Sequence, residues 1–433
     1  MNDERSSAHS NKRASLDQRL AARPELADQM HALIDAIEES LAQDARADDV
    51  EDCLHEKVRE LGRQAMTDWA AQAQAQTAGQ TPAQHPGAVK HAKKKLQWQT
   101  LFGPVQIQEQ VWRLSRRGSL LRAFCLRNGL EPGGYSRKVR RAMVDFGAEE
   151  SFASAAARMR EHHGARVRAE EVRQETYRHA RKIAELKPAP RGPSAVVVAQ
   201  IDGSMIPIVQ MKAMAGDQRR ARQVGWQELK ACLARDQHSV TPIFGATLGS
   251  VQVAGLLWRE TAEHAGLNAH SRVHALGDGA PWILAQAQEQ FGAQGSYLVD
   301  FYHVSQYLAA AAPPGKKASP WLKRQQEHLL KNKVSRVLRN LAPRQEPLGA
   351  TERPVAKAYA YIEQRRQQMD YAGAKANGLP IGSGEVESAH RHLVQARLKI
   401  PGAWKEQNAE LMLSLRTARA NGLWESSWAF HLN

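Results

Sequence analysis

The chain has 433 residues, 42% of them hydrophobic and 24% charged, with 60 Lys and Arg against 45 Asp and Glu, a formal net charge of +15. That length exceeds one ordinary core and predicts two or three domains, while the basic surplus suits a polyanionic partner, because each neutralised phosphate releases counterions. No run reaches the roughly 18 apolar residues that would span a bilayer and no signal-peptide pattern opens the chain, so the expectation is a cytoplasmic protein with no membrane partner; three scattered cysteines (Cys53, Cys125, Cys232) fit a reducing compartment without a disulfide frame.

The first stretch, to about residue 80, is predicted helical. Leu26, Met30, Leu33, Ile34, Ile37 and Leu41 recur at helical spacing, and Val50, Leu54, Val58, Leu61 and Trp69 repeat the pattern. Both stripes suit packing within a bundle or against a second subunit. A polar Ala/Gln/Thr/Pro segment from about Ala70 to Gly87 reads as a linker, and about 81–97 as a linker with a basic run, Lys90, His91, Lys93, Lys94 and Lys95. That run is either a phosphate-gripping arm or a solvated charge cluster. Leu101–Ile107 reads as a short strand with a Gly-Pro turn. Three short helices follow between about 136 and 186, with small residues at their turns, in a pattern shared by helix-turn-helix domains and generic bundles. Residues 98–188 are therefore assigned to a small domain with a strand and a helix-turn-helix-like part.

Beyond Lys187-Pro-Ala-Pro the character changes to α/β. Strands are predicted at Ala195–Ile201, Ile206–Val209, Pro242–Leu248, Val253–Trp258, Arg272–Leu276 and Ser296–Phe301, with a helix at about 281–292. A Lys/Arg-rich helical stretch from His303 to about Gln368 reads as an insertion, about 304–378, within a domain covering 189–433.

Acidic residues close three of those runs: Asp202 before Gly203, Asp278 in Gly277-Asp-Gly-Ala, and Asp300 in Asp300-Phe-Tyr-His303. Open α/β sheets gather ligands at the carboxyl ends of their strands, so these acids are placed to converge on one cleft. A fourth acidic feature is Ile381-Gly-Ser-Gly-Glu-Val-Glu387, a glycine-rich loop leading into a helix. Glu385 and Glu387 stand about 200° apart around a helix, so only one can face the cleft. The apolar set Val386, Ala389, Leu393 and Ala396 points to Glu385, without deciding the matter.

Ile201-Asp-Gly-Ser, Trp226-Gln-Glu-Leu-Lys230, Gly277-Asp-Gly-Ala-Pro-Trp282, Val299-Asp-Phe-Tyr-His303 and Ile381–Glu387 fall in an order that resembles the ISKra-type bacterial insertion-sequence transposases, DDE enzymes with an RNase H-like catalytic domain. Ala396–Lys399, Trp404, Asn408, Leu415-Arg416 and Asn421–Trp424 extend the similarity, as does Leu101-Phe-Gly-Pro-Val. The resemblance implies a mixed sheet flanked by helices and a DNA transposase that binds terminal inverted repeats, then cuts and joins strands. It assigns Asp202, Asp278 and Glu387 as catalytic and metal-binding acids, with Asp300 and Glu385 as further candidate ligands and His303 as a supporting residue. The implied cofactor is a pair of Mg²⁺ ions, with Mn²⁺ as a substitute, held about 4 Å apart on hard oxygen ligands. Relatives often carry a Cys-x-x-Cys pair after the Gly-Pro-Val strand; here Trp112–Ser119 has no cysteine, so no zinc is expected. DNA contacts are assigned to Lys93, Lys94, Lys95, Arg113, Arg116, Arg117, Lys323, Lys331, Lys333, Arg336, Arg397 and Lys399. The partners implied are double-stranded DNA, as element ends and target, and a second copy of the chain, within a nucleoid-associated complex. Two alternatives stay open: a catalytically silent DNA-binding descendant, and an RNase H-like nuclease that only hydrolyses.

Overall fold

The computed structural model describes residues 15–115, 118–211 and 222–429, which divide into two compact units. Among the described residues no helix is long and apolar enough to cross a membrane.

The first unit comprises the chain to Gly147 and Phe152–Arg173. Helices Pro24–Ala42 and Ala47–Gln84 pair as a hairpin that leaves Ile34, Ile37 and Leu41 exposed. The segment expected to be a linker from Ala70 is instead the continuation of the second helix. Alanine and glutamine are good helix formers, and Ala70, Thr77 and Thr81 are buried. Ala70 shares a core with Leu96, Trp98, Val105 and Ile107, which come from β1 (Val89–Thr100) and β2 (Gly103–Arg113), an antiparallel pair. The expected linker 81–97 is therefore the end of a helix and most of a strand. Its lysines hide the strand because Lys93, Lys94 and Lys95 are consecutive and all exposed, which breaks the apolar alternation that begins only at Leu96. β3 (Leu120–Leu121) pairs only with Trp112 and Arg113. Behind the sheet, buried Glu109 accepts from Arg122 Nε (2.7 Å) and the Cys125 backbone N–H (3.2 Å). Burial and that carboxylate push the Cys125 thiol up to about 12, leaving it inert.

Helices Arg137–Glu149, Phe152–His163 and Ala169–Ile183 stand where three helices were predicted. The third is shared between the two units. From Gln174 it belongs to the second unit, where Thr176, Ala180 and Ile183 are buried, and Arg168, Arg173 and Arg178 each pair with a glutamate three residues away.

The second unit comprises Ala148–Ser151 and Gln174 onward. Its five-stranded sheet has the order β6-β5-β4-β7-β8, built from β4 (Val196–Met211), β5 (Arg222–Asp236), β6 (Ile243–Thr247), β7 (Arg272–Gly277) and β8 (Gly295–Val299). β4 is antiparallel to β5 and parallel to β7, and β8 is parallel to β7. The two runs at Ala195–Ile201 and Ile206–Val209 are one continuous strand. β5 was not predicted as a strand at all. The strand expected at Val253–Trp258 is a helix, Val251–His264, whose cap Ser250 accepts from the Val253 N–H; burial of Ala254, Gly255, Trp258 and Thr261 on one face outweighs local β-branching. On that face of the sheet Trp258 packs with Ile201, Phe291 and Val273. The opposite face carries Val198, Leu276, Val304 and the helical insertion, with Val337, Ala358 and Ile362.

Trp258 is fully buried and meets Phe291 edge-on at 5.0 Å between ring centroids. Trp258→Ala is expected to cost about 3–5 kcal/mol, read as a lowered urea midpoint at unchanged slope; a loss below about 1 kcal/mol would show that this core does not hold the sheet to its helix.

Candidate active site

Strand register brings the aspartates level with one another. Gln200 pairs with Leu276 across β4 and β7, and Leu276 with Leu298 across β7 and β8. Asp202, Asp278 and Asp300 each lie two residues beyond that row, on adjacent strands spaced about 4.8 Å apart. Asp202 does not end its strand, contrary to expectation: β4 continues past it, with Asp202 opposite Ala231 of β5. The row is formed because β7 and β8 stop there.

Three side chains, one from each parallel strand or its end, hold the loop that precedes Glu387. Gln200 Oε1 accepts from the Val386 N–H (3.0 Å). His274 Nε2 donates to the Pro380 carbonyl (2.8 Å), and burial keeps that imidazole neutral by lowering its pKa. Asp300 accepts from both the backbone N–H and the hydroxyl of Ser383, and caps the helix Phe301–Ala310 through the His303 N–H. At 2% exposure, with those hydrogen bonds filling its oxygens, Asp300 is a structural anchor. His303 packs beside Tyr307 and Tyr361, at 5.5 and 5.8 Å between centroids.

The two glutamates divide as helix geometry requires. Glu385 is held by Arg235 of β5 through two hydrogen bonds of 2.7 and 2.8 Å, and Gln200 Nε2 lies 3.4 Å from it. Glu387, in the first turn of the helix Gly384–Ala389, is exposed, and its charge acts on Asp202. The weak apolar-face hint toward Glu385 thus leads to an ion pair at the edge of the cleft.

Burial, followed by the charges of Asp278, Glu387 and Glu228, pushes the Asp202 carboxyl up to about 6, against one lowering hydrogen bond from the Gly203 N–H. Glu228, inside the Trp226–Lys230 motif, is therefore a fourth carboxylate of this neighbourhood. His390 backs onto Asp202, its Nε2 donating to the carbonyl oxygen at 3.2 Å and lying 3.6 Å from Oδ2. It begins a π-helical turn, His390–Gln395, a distortion common at functional sites. Sequence reading missed His390, although it stands three residues after Glu387 on the same helical face, and missed Gln200, whose signal was an amide inside an apolar strand.

The Asp278 loop is clamped by the insertion. In the helix Pro354–Gln364 the Tyr361 hydroxyl donates to the Asp278 carbonyl, and Arg365, next in the chain, donates from Nε to the Gly279 carbonyl at 2.6 Å. The Tyr297 hydroxyl accepts from the Gly279 N–H at 3.1 Å. Gly279 has φ +86°, and a Cβ there would stand 2.6 Å from the Tyr361 hydroxyl, so only glycine fits.

Chemically the set is one of hard oxygens. Asp202 and Asp278 each commit Oδ1 to a backbone N–H, of Gly203 and Ala280 respectively (both 2.8 Å), which leaves Oδ2 for another partner. Among the described residues no three His, Cys, Asp or Glu side chains are drawn together tightly enough to form a ready-made metal cage. Mg²⁺ takes only one or two protein carboxylates, with water and phosphate oxygens completing its shell, so the donors fit that ion without such a cage.

Of the basic residues assigned to DNA, Lys93, Lys94, Lys95, Lys323, Lys331, Lys333, Arg336 and Lys399 are exposed and Arg113 is half-buried. Lys331, Lys333 and Arg336 surround His328 and lower its pKa, after burial. Lys399 Nζ donates to Ser204 Oγ at 2.8 Å, two residues from Asp202. Arg397 is a correction: at 2% exposure it lies over the Trp404 ring at 4.7 Å, and burial lowers its pKa to about 10, so it is core. Arg116 and Arg117 lie outside the described residues.

Because folding raises the Asp202 pKa from 3.8 to about 6, the folded chain holds a proton that the unfolded chain has released between those values. Stability therefore falls as pH rises from about 4 to about 6 and stays lower above. In chelator, Asp202→Asn is expected to stabilise the protein by about 1–3 kcal/mol at pH 7.5 and by far less at pH 3.5, where the carboxyl is neutral in the folded chain and mostly so in the unfolded one. Urea unfolding at both pH values checks this; an equal effect at the two would refute the crowded-carboxylate account.

Residues 257–429 match the model of a family described as an uncharacterised protein family, UPF0236. No curated protein matches the chain. Among solved structures it is similar to the Drosophila P element transposase strand transfer complex, at 9% identity and a TM-score of 0.25, over 70% of this chain and 82% of that one.

Proposed function

We propose that this chain is a DNA transposase of an insertion sequence, with an RNase H-like catalytic domain that cuts element ends and joins them to a target. The observation that carries this reading is the level row of Asp202 and Asp278 on adjacent parallel strands, with Glu387 delivered beside them by a loop tied to the same strands. A mixed five-stranded sheet with helices on both faces and a helical insertion supports the domain type.

In this reading Asp202, Asp278 and Glu387 hold two Mg²⁺ ions, which would activate the attacking oxygen and stabilise the leaving oxygen of an in-line displacement. Asp202, on which the charges of both other acids act, would be the residue central to that set. His390 keeps its backbone in place, and Tyr361 and Arg365 do the same for Asp278. Glu385 fixes the cleft edge through Arg235. Lys399 and the insertion cations Lys323, Lys331, Lys333 and Arg336 are placed to contact phosphates. The exposed apolar stripe Ile34, Ile37 and Leu41 suits pairing with a second copy.

The test is strand cleavage and joining on the element's own end sequences with Mg²⁺. Asp202→Ala, Asp278→Ala and Glu387→Gln are each expected to reduce both steps by about a thousandfold or more, while Glu385→Gln costs about tenfold or less. Retained activity in Glu387→Gln with loss in Glu385→Gln would reverse the assignment. A wild type that binds ends and never cuts is a silent binder, and one that cuts and never joins is a nuclease.

A second test addresses the clamp. Tyr361→Phe is expected to weaken Mg²⁺ dependence, raising the half-maximal Mg²⁺ concentration about threefold to tenfold, with end binding unchanged. An unchanged Mg²⁺ midpoint would show that the insertion does not position Asp278.

A further inference from the structure

We propose that the outer face of the β1–β2 ribbon is a double-stranded DNA-reading surface, entered into the major groove. The inference deepens the transposase reading, on which its choice of partner rests.

Alternation along the two strands separates their faces. Leu96, Trp98, Val105, Ile107 and Glu109 are buried inward, while Lys93, Lys95, Gln97, Gln106 and Gln108 are exposed outward. Register pairs Lys93 with Gln110, Lys95 with Gln108, and Gln97 with Gln106. The outer face from Lys93 to Gln97 and Gln106 to Gln110 is therefore built of lysine and glutamine alone, in a chain that has three acids for every four basic residues. The only acid on β2 is Glu109, which is buried inward and taken up by Arg122. Among the described residues the side chains of Lys93, Lys95, Gln97, Gln106 and Gln108 form no hydrogen bond or ion pair, their backbones being taken up by the ladder. A solvent-facing sheet surface selected for stability would carry Thr, Val or cross-strand charge pairs; this one carries neither.

Its width fits as well. At Lys93–Lys95 and Gln108–Gln110 the ribbon is two strands across, because β3 joins only at Trp112 and Arg113 and the Gly133–Ser136 segment only from Gln97 onward. A two-stranded ribbon enters the roughly 12 Å major groove of B-DNA, whereas the deep, narrow major groove of A-form RNA shuts it out. Lys93 to Gln97 spans about 13 Å, close to four base-pair steps. Lysine pairs with guanine O6 and N7, and glutamine with adenine N6 and N7, so this side-chain set is one that reads bases. Lys94, exposed on the other side of β1, is placed for phosphate.

The experiment is binding by fluorescence anisotropy, in chelator so that no strand is cut, with a 30-base-pair duplex of random sequence and with duplexes selected from a randomised pool. Lys93→Ala with Lys95→Ala is expected to weaken both duplexes at least tenfold and to reduce the slope of log affinity against log salt by about two. Gln97→Ala, Gln106→Ala and Gln108→Ala together are expected to leave the random duplex within about twofold and to erase preference at about four adjacent base pairs. Lys93→Arg with Lys95→Arg should restore the salt slope. Unchanged slope and unchanged selection in variants with native circular dichroism and Tm would overturn the proposal, as would tighter binding of single-stranded RNA than of duplex. Because no cleavage is read, a chain that binds through this ribbon and never joins strands refutes the transposase reading alone; an active transposase indifferent to these substitutions refutes the ribbon alone.

Discussion

The acid cleft depends on one tether: the loop Pro380–Val386 is fastened by a side chain from each of three neighbouring parallel strands. Gln200 holds its far end, His274 its near end and Asp300 its middle. The tether is made by the fold, since 80 residues of insertion and helix, 300–379, separate the loop from β8. Without it, like charges would drive Glu387 away from Asp202, because a carboxylate already pushed up to about 6 gains by losing a negative neighbour. Two of its three groups, the Gln200 amide and the His274 imidazole, are neutral, and the third, Asp300, is buried with its oxygens taken up by N–H and O–H donors.

The insertion does comparable work for the second acid. Tyr361 and Arg365 take up the Asp278 and Gly279 carbonyls, and Tyr297 takes the intervening N–H. Those groups lie past the end of β7, where no strand partner remains, so the backbone would otherwise need water. Tyr307 stacks on Tyr361 at 4.1 Å and His303 packs beside it, which carries the clamp back to the cap residue Asp300. The two anchoring systems, loop and insertion, therefore meet at the end of β8.

Legibility in the sequence followed the range of the forces involved. Asp202 and Asp278 stood out because apolar strands followed by an acid and glycine form a local pattern. The level row could not be read, since it depends on pairings 76 and 22 residues apart in the chain, Gln200 with Leu276 and Leu276 with Leu298. That Glu385 is taken up in an ion pair is invisible to helical periodicity, because its partner Arg235 lies on β5, a strand the sequence pattern does not show. Local composition also misled. Alanine and glutamine looked like a linker and are the end of a long helix; Val253–Trp258 looked like a strand and is capped by Ser250 into a helix. Arg397 looked like a surface cation and is covered by Trp404, reached across a turn. Of the ribbon, part of β2 is legible in Leu101–Ile107, while β1 is hidden because lysine and glutamine fill its exposed positions where a strand is usually betrayed by Thr or Val.

The continuation of β4 beyond Asp202 has a mechanical meaning. Most strand-end acids are carried on loops, which absorb displacement by bending. Asp202 sits in the middle of a ladder that pairs Val197 with Asp236 at one end and Met211 with Arg222 at the other. The first acid therefore sits partway along a continuous hairpin whose Met205, Val224 and Trp226 are exposed, and its backbone is fixed by strand pairing on both sides of the carboxylate.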